Sequence, residues 1–381
     1  MGEVKKLLII TDWFAPGYKA GGPIQSCVNI CAALNSSYDI YVLTMDTDHG
    51  EANPYPGVET DKWINDTALN IKICYLEKKR LTKKKIREQV EFVNADTVYL
   101  NHLFSPYFVV YPLWLLYSGF IKSRVIVCPR GALYDSALSL KSYKKKPLLF
   151  LYKWLGIHKK ITFHATNERE QKAIEKYFSG SKIIVADNLP NTKQPGFKTV
   201  LKESGKVDCI FIARIVPIKN LLFLLNVLQN CAAQIKLTVV GPVENEDYWR
   251  ECKSAVEKLP ASVSVNYIGP KQNSELNSLI QQHHLFILPT TGENFGHSIF
   301  ESFLAGRPVL ISNQTPWLKL QEEKAGWDLP LKNPDAFKDV IETVAGFSQQ
   351  QYDEYANAAW QYAAGYIVNK ISKQQYYNLF G

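Results

Sequence analysis

Two glutamates stand eight positions apart in the stretch TTGENFGHSIFESFLAGRPVLIS, residues 290–312. Glu293 precedes a segment typical of a helix, and Glu301 lies about one turn inside it. The free N–H groups of a first helical turn bind phosphate oxygens, and carboxylates accept hydrogen bonds from sugar hydroxyls. The pattern therefore predicts a diphosphate site flanked by two sugars, with one glutamate for each sugar. A helix-start glutamate beside an unrelated surface glutamate would show the same spacing.

A second candidate segment is ARIVPIKN, residues 213–220, which follows a predicted buried strand. It places Arg214 and Lys219 five residues apart, just before the apolar helical segment NLLFLLNVLQ. Cations beside the positive end of a helix suit a diphosphate group. Two unrelated surface cations would fit this spacing equally well, so the glutamate pair supplies the context.

A glycine pair in the sequence AGGP, Gly21 and Gly22, follows the first predicted strand and precedes a predicted helix. Glycines at such a position let a ligand approach the backbone closely, although the same pair also makes an ordinary turn. Neither GxGxxG nor GxxxxGK[ST] occurs in the sequence. This argues against dinucleotide oxidoreductases and P-loop nucleoside triphosphatases.

Short apolar runs alternate with amphipathic stretches along the chain, which predicts β-α-β units and mostly parallel sheets. The predicted strands of the first half are KKLLIIT, YDIYVLTM, NIKICYLE, ADTVYLNH, RVIVCPRG, KITFHAT and KIIVADN. After the polar segment NLPNTKQPGFKTVLKESGK, taken as a linker, the pattern restarts with VDCIFIARI, IKLTVVG, VSVNYIG, HLFILPT and RPVLIS. A chain of 381 residues exceeds what one core usually serves, so we predict two tandem α/β units.

Helix boundaries can also be predicted. PIQSCVNICAALNSS and NEREQKAIEKYF are typical helical segments, and TNERE resembles a capping box with Glu170 three residues after Asn167. In parallel sheets ligands bind beyond the carboxyl ends of the strands. The loops that follow the predicted strands are therefore where we expect the site.

The net charge of +8 lies in the first half of the chain. Residues 1–190 hold 26 Lys and Arg against 18 Asp and Glu, whereas residues 191–381 hold 18 of each. Between residues 72 and 160 the counts are 18 and 5, in a span that also contains WLLYSGF and LLFLYKW. Such a segment predicts docking on an anionic membrane surface. Alternatively, Trp114, Leu115, Trp154 and Leu155 are core residues and the lysines only keep the protein soluble.

The seven cysteines are scattered and form no CxxC pair, which suits a reducing cytosol. The apolar run in MGEVKKLLIITDWF is too short for a signal peptide, and no segment offers the roughly 20 apolar residues of a spanning helix. We therefore expect a cytoplasmic protein, at most peripheral on the inner face of the cytoplasmic membrane, without a nucleic-acid partner.

The motifs together resemble a known family. The E-x7-E string in ENFGHSIFES, followed by LAGRPVLIS and TPW, and the segment ARIVPIKN resemble the donor domain of retaining glycosyltransferases of family 4. AGGP, PRGAL and HATNERE resemble the acceptor half of bacterial polysaccharide-assembly members. The resemblance covers nearly the whole chain and is looser in the first half. It implies the GT-B fold, an α/β architecture of two tandem Rossmann-like domains with the active site in the cleft between them.

The resemblance also implies domain bounds and residue roles. Residues 1–190 would bind the acceptor, residues 191–365 the nucleotide-sugar donor, and residues 366–381 would form a C-terminal helix that could pack on the first domain. Glu293 would contact the donor hexose and Glu301 the ribose, while Arg214 and Lys219 would clamp the diphosphate. The other implied substrate-binding residues are Gly21 and Gly22, which close over the donor, Gly269, Pro270 and Lys271, which bind the base, and Asn294, Phe295, Gly296 and His297, which cradle the phosphates.

The sequence departs from the family pattern at two places. Many members carry a histidine after the strand ending in VIVCP, where this chain has Arg130. Relatives often show HxHG where this chain reads VYLNHLFS, with Asn101 and His102 at the last two positions. His102 and Arg130 are therefore comparable candidates for the contact to the donor sugar.

The implied activity is retaining transfer of a hexose-type sugar in cell-surface polysaccharide biosynthesis. The donor would be UDP- or GDP-linked, and the acceptor a saccharide or a polyprenyl-diphosphate-linked saccharide. The leaving diphosphate would take the acceptor proton, so we expect neither a cofactor nor a metal, although the string DTD at Asp46 and Asp48 beside His49 leaves a metal site open. The alternatives are another GT-B enzyme (an inverting transferase, an epimerase or a phosphorylase) and a non-catalytic sugar- or membrane-binding protein.

Overall fold

The chain divides into two compact units in the computed structural model, which describes residues 4–139, 142–191, 197–370 and 372–381. One unit comprises Met1–Leu189 and Ile371–Gly381, and the other Pro190–Lys370. The predicted linker, residues 188–206, contains neither helix nor strand in its described part until a strand begins at Lys206. Residues 192–196 of that linker lie outside the described residues.

The first unit is built on an eight-stranded sheet of order β3-β4-β2-β1-β5-β6-β7-β8. All neighbouring strands are parallel except β3, which pairs antiparallel with β4. In chain order the elements are β1 Lys6–Ile10, α1 Gly22–Leu34, β2 Asp39–Met45, β3 Trp63–Asp66, β4 Ile71–Leu76, α2 Lys83–Val93, β5 Thr97–Asn101, α3 Tyr111–Tyr117, β6 Arg124–Cys128, α4 Asp135–Ser139, α5 Ser142–Trp154, α6 Ile157–Lys160, β7 Thr162–Ala165, α7 Glu168–Tyr177 and β8 Lys182–Val185.

This sheet is covered on both faces because its central strands are apolar at consecutive positions. In β1, Leu8 and Ile10 belong to one core cluster while Leu7 and Ile9 belong to the other. Successive side chains of a strand point to opposite faces, so a strand buried on both faces must be apolar throughout. Helices α2, α3 and α7 contribute to the first cluster and α1 to the second. The unit is therefore doubly wound, as its sequence pattern predicts.

The second unit is built on an all-parallel six-stranded sheet of order β11-β10-β9-β12-β13-β14. Its elements are β9 Lys206–Ile212, α8 Leu221–Leu228, β10 Gln234–Val240, α9 Glu246–Val256, β11 Val263–Tyr267, α10 Asn273–Ile280, β12 Leu285–Leu288, α11 His297–Leu304, β13 Val309–Ser312, β14 Gly326–Leu329, α12 Pro334–Gly346 and α13 Gln349–Lys370. Strands β12 and β13 are buried at every position, as expected for the middle of a parallel sheet.

The C-terminal helix, α14 Lys373–Phe380, belongs to the first unit. Tyr376, Leu379 and Phe380 are fully buried in the same core cluster as β1 and α1. The Tyr376 hydroxyl also donates to the Asp187 carbonyl oxygen at 2.9 Å. Helix α14 thus completes the core of the first unit.

Every predicted strand overlaps an observed one, with β9 and β10 starting one residue earlier than predicted, but β3 and β14 were not predicted. The sequences of these two strands, WIND and GWDL, are four residues long and lack the β-branched run that marked the others. The predicted capping box of α7 is half correct. Asn167 accepts from the Glu170 N–H at 2.8 Å, but the Glu170 carboxylate binds the N–H groups of Gly131 and Thr166 instead of returning to Asn167.

We expect Leu379→Ala to destabilise the protein by about 2–5 kcal/mol, the usual cost of deleting a fully buried leucine side chain. The measurement is urea unfolding of the full chain. Lys373→Ala on the exposed side of the same helix is the matched control and should change the free energy of unfolding little. Equal stability of the two variants would show that α14 is not part of the core.

Candidate functional site

The strand order of the second sheet reverses between β9 and β12. From β9 the chain moves outward through β10 and β11, then returns to the other side of β9 and continues through β12, β13 and β14. The loops that leave β9 and β12 therefore begin side by side at the carboxyl edge of the sheet, and ligands of open α/β sheets bind at such a switch point. The sequence places Lys219 in the first of these loops and Glu293 in the second.

Lys219 and Glu293 form an ion pair at this switch point. Their side chains are only 15% and 14% exposed. Lys219 ends the 3-10 turn Pro217–Lys219, and the Ile218 carbonyl in that turn accepts the Thr291 N–H at 2.8 Å and the Thr290 hydroxyl at 2.9 Å. The two loops are thus bonded to each other, and the structure brings together the cation and the carboxylate that were predicted from separate motifs.

Arg214 pairs with a carboxylate that the sequence did not single out. One of its terminal nitrogens lies 2.9 and 2.8 Å from the two oxygens of Glu244, which follows β10. The loops after β9 and β10 approach so closely that a Cβ at Gly241 would lie 1.9 Å from the Ala213 carbonyl oxygen, and glycine at this position permits the approach. The signal for Glu244 was available only from the adjacency of β9 and β10, which places an acidic residue in GPVEN beside ARIVPIKN.

The start of α11 lies in the loop after β12. Gly296 caps the helix with φ of 79°, and a Cβ there would lie 2.7 Å from the Ile299 side chain, so the loop needs glycine at this position. Phe295 is buried, and its carbonyl accepts a hydrogen bond from the Trp317 indole at 2.5 Å. Trp317, in the TPW string after β13, therefore holds the backbone of the predicted phosphate cradle. Asn294 precedes the buried residues Phe295 and Gly296 in the chain, and His297 follows them.

Glu301 lies one turn into α11. Within the described part of the chain, no hydrogen bond or ion pair satisfies its carboxylate, and burial raises its pKa to about 7. A carboxyl group in this state can accept or donate a hydrogen bond, which suits the hydroxyls of a ribose. Along the chain, Glu293 precedes the first residue of α11 and Glu301 lies within the helix.

The predicted base-binding residues lie at the same sheet edge, two strands from β9. Gly269 has φ of 72°, and its carbonyl accepts the Gly241 N–H at 3.1 Å, which ties the loop after β11 to the loop after β10. Pro270 follows, and the Lys271 ammonium lies 3.8 Å from the carboxylate of Glu275 in the first turn of α10. The loops after β11, β10, β9 and β12 thus form one continuous edge.

The first unit gathers its own candidates at a second switch point, between β1 and β5. Gly21, with φ of 67°, caps α1 after β1, and Gly22 is the first helical residue. His102 follows β5 with φ of 100°, and its N–H donates to the Cys128 carbonyl at 2.9 Å. Cys128 ends the neighbouring strand β6, two residues before Arg130. The four candidates therefore lie in the segments that follow three adjacent strands, β1, β5 and β6.

Arg130 is occupied by neutral partners inside this unit. Its guanidinium donates to Asn101 Oδ1 at 2.9 Å, to the Tyr99 hydroxyl at 3.0 Å and to Asn188 Oδ1. Tyr99 bonds in turn to Nδ1 of His164 at 2.9 Å, and burial lowers the pKa of His164 to about 3, so this ring stays neutral. Arg130 therefore links β5, through Tyr99 and Asn101, to Asn188 in the segment after β8.

Both aspartates of the DTD string, Asp46 and Asp48, accept hydrogen bonds from backbone N–H groups. Asp48 accepts from the N–H groups of Tyr18 at 2.8 Å and of His49 at 2.7 Å, and Asp46 accepts from Lys78 N–H at 3.1 Å. Within the part of the chain that the structure describes, no three His, Cys, Asp or Glu side chains come together as a metal centre would need. Through these hydrogen bonds, Asp48 fixes the segment at Tyr18 and Asp46 fixes the segment at Lys78.

Comparison with known proteins gives a family model and several relatives. The model of glycosyl transferases group 1 matches residues 193–359, nearly all of the second unit. An uncharacterised 41.2 kDa protein from the cps region of Klebsiella pneumoniae is 21% identical over 305 residues, which cover 77% of this chain and 80% of that protein. The GtfA subunit of a UDP-N-acetylglucosamine–peptide N-acetylglucosaminyltransferase from Streptococcus gordonii is 22% identical over 148 residues, which cover 36% of this chain but only 28% of that protein.

Among solved structures, HepE from Anabaena in complex with UDP and glucose matches with a TM-score of 0.69 at 15% identity, over 98% of both chains. At this identity the likeness shows the fold. It confirms two Rossmann-like domains of the GT-B type.

Glu301→Gln should change how stability depends on pH. Because burial raises the pKa of Glu301 from 4.5 to about 7, the folded protein holds this proton more tightly than the unfolded chain. The resulting stabilisation is complete below about pH 4.5 and is lost as the pH rises through 7. Urea unfolding should therefore show wild type losing free energy of unfolding relative to Glu301→Gln between pH 5 and pH 8.

The control for this experiment is Glu322→Gln, at an exposed position of the same unit. It should follow wild type at both pH values. If the difference between wild type and Glu301→Gln were the same at pH 5 and pH 8, Glu301 would not titrate in this range.

Proposed function

We propose that this chain, whose residues 193–359 match the model of glycosyl transferases group 1, transfers a hexose-type sugar from a nucleoside diphosphate to a saccharide acceptor, with retention at the anomeric carbon. The observation that carries the proposal is the partly buried Lys219–Glu293 ion pair at the switch point of the second sheet. It joins a cation suited to phosphate with a carboxylate suited to sugar hydroxyls.

UDP is the nucleotide that we propose for the donor. The Anabaena HepE structure holds UDP and glucose, and the Streptococcus gordonii relative is named for UDP-N-acetylglucosamine. GDP is the second choice. The base would lie against the loop of Gly269, Pro270 and Lys271, and the ribose would reach Glu301.

Donor binding would rearrange the charges at the switch point. Two cations and two carboxylates, Lys219 with Glu293 and Arg214 with Glu244, balance in the absence of ligand. A diphosphate offers Lys219 more negative charge than Glu293 does, so the arriving donor would take the ammonium and leave Glu293 for the hexose hydroxyls. Glu244 binds a single nitrogen of Arg214, which leaves the rest of the guanidinium for a phosphate oxygen.

The chemical step needs stabilisation of the negative charge that grows on the leaving diphosphate. Lys219, Arg214 and the start of α11 supply it by fixed charges and dipoles. In the retaining mechanism that we propose, the leaving oxygen takes the acceptor proton on the same face of the sugar. No carboxylate nucleophile, metal or other cofactor is part of this proposal.

The first unit would bind the acceptor. Gly21 and Gly22 allow a close approach to the backbone, and we propose His102 for the histidine contact because each guanidinium nitrogen of Arg130 already donates to a neutral group within the unit. The cps-region relative favours a role in cell-surface polysaccharide synthesis, with a saccharide or a polyprenyl-diphosphate-linked saccharide as acceptor at the cytoplasmic face of the membrane.

Lys219→Ala and Arg214→Ala should each slow the release of UDP from UDP-glucose by about 10²-fold, because one donor to a developing oxyanion contributes about 3 kcal/mol. Hydrolysis without acceptor, followed by chromatography of UDP, makes the test independent of the unknown acceptor. Arg250→Ala is the matched control, since Arg250 is an exposed cation of the same unit paired with Asp247. Rates within twofold of wild type would remove both cations from the site.

The glucose released from UDP-glucose should be the α-anomer at early times, because UDP-glucose is α-linked and the proposed mechanism retains configuration. Proton NMR during the first turnovers distinguishes the two anomers. EDTA should leave the rate unchanged. Formation of β-glucose would indicate an inverting enzyme, and loss of activity in EDTA with rescue by manganese would point to a metal.

A further inference from the structure

Helix α5 presents an apolar stripe to solvent. Tyr143, Pro147, Phe150 and Trp154, here called the α5 stripe, follow one another at intervals of four, three and four residues and so share one helix face. The three aromatic members are 71%, 71% and 72% exposed. A contiguous group of exposed large aromatics marks an interaction surface.

The opposite face anchors the helix in the protein. Leu149 and Tyr152 are buried in the core of the first unit, and the Lys145 ammonium donates to the Ala137 carbonyl at 2.6 Å. The exposure of the α5 stripe is therefore a fixed feature of a packed helix.

Exposed lysines border the stripe on both sides. Lys146 and Lys153 lie along one edge and Lys144 along the other. Residues 142–160 contain six lysines and no Asp or Glu. An apolar stripe with cations on both flanks is the pattern of a helix that lies in the interface of an anionic lipid bilayer.

A second group of aromatic and lysine side chains lies in the same unit, formed by Trp114, Tyr117 and Lys160. Trp114 on α3 is 53% exposed and packs on Tyr117, and the Lys160 ammonium lies 5.1 Å from the centre of the Tyr117 ring. Leu115 is buried and Leu155 partly buried. The alternative that these four residues belong to the core thus holds for the leucines and is wrong for Trp114 and Trp154.

We infer that α5 docks the protein on an anionic lipid surface, with the α5 stripe among the acyl chains and the flanking lysines at the lipid phosphates. This deepens the proposed function, because a lipid-linked acceptor would be met at such a surface, but docking itself needs only the residues of α5. No helix in the described ranges is long and apolar enough to cross a membrane.

A second copy of the chain is the less suitable occupant. Pairing two α5 stripes would bring two rows of lysines together, and the helix offers no carboxylate to compensate them. Like charges that face each other across an interface oppose association, whereas anionic lipid headgroups attract them.

The test is co-sedimentation of the full chain with phosphatidylcholine vesicles, with and without phosphatidylglycerol, at low and high salt. Two variants probe α5: Phe150→Ser with Trp154→Ser, and Lys144→Glu with Lys146→Glu and Lys153→Glu. We expect wild type to bind the anionic vesicles preferentially and both variants to lose at least tenfold in bound fraction. Salt should weaken wild-type binding to anionic vesicles.

Matched controls carry the same changes elsewhere on the first unit. Phe92→Ser removes an aromatic that is 67% exposed, and Lys79→Glu with Lys83→Glu and Lys84→Glu reverses three exposed cations. Both controls should bind within about twofold of wild type. Equal loss in the controls and in the α5 variants, or equal binding to neutral and anionic vesicles, would overturn the inference.

Two further readouts keep the outcomes separate. UDP-glucose hydrolysis should be unchanged in both α5 variants, so failure to dock and failure of the proposed transfer are distinguishable. Analytical ultracentrifugation without lipid compares wild type with the Phe150→Ser, Trp154→Ser variant. We expect the two proteins to show the same state of association, so that no self-association depends on the α5 stripe. Such self-association would make a second copy the occupant and refute lipid docking.

Discussion

The ion pair between Lys219 and Glu293 is the interaction on which the rest of the second unit's site depends. Two opposite charges on different loops lie largely out of water, where removing either partner would leave an uncompensated charge. Buried pairs of this kind are weak evidence for stability, because the cost of desolvation offsets much of their attraction. In the proposed function this pair has a second role, because the diphosphate of the donor would replace Glu293 as the partner of Lys219.

The remainder of the unit positions these two loops. Adjacent β9 and β12 bring the loops together, hydrogen bonds from Thr290 and Thr291 to the Ile218 carbonyl lock them, and Glu244 fixes Arg214 from the neighbouring strand end. In the first unit, the corresponding cation is held by neutral groups. There the Arg130 guanidinium donates to two amide oxygens and a hydroxyl, so it holds strand ends together.

The sequence predicts both sheets because a parallel strand covered on both faces must be apolar throughout, and runs such as LLII and LFIL leave little ambiguity. Short edge strands such as β3 lack this signal. Two motifs assigned Lys219 and Glu293 to one site, but their ion pair was not predicted. The partner of Arg214 was not predicted either, because Glu244 becomes a neighbour only through the order of β9 and β10. Likewise, the exposure of Trp154 and the burial of Leu149 depend on how α5 packs, which composition alone does not determine.

The most direct test of the account is isothermal titration of UDP and of UDP-glucose into wild type and Glu293→Gln. If Glu293 contacts the hexose and competes with the diphosphate for Lys219, the substitution should weaken UDP-glucose binding by about tenfold, the usual worth of a hydrogen bond to a charged group. UDP, which lacks the hexose, should bind at least as tightly as before. Equal weakening of both ligands, or no change in either, would contradict the assignment of the sugar to Glu293 and of the diphosphate to Lys219.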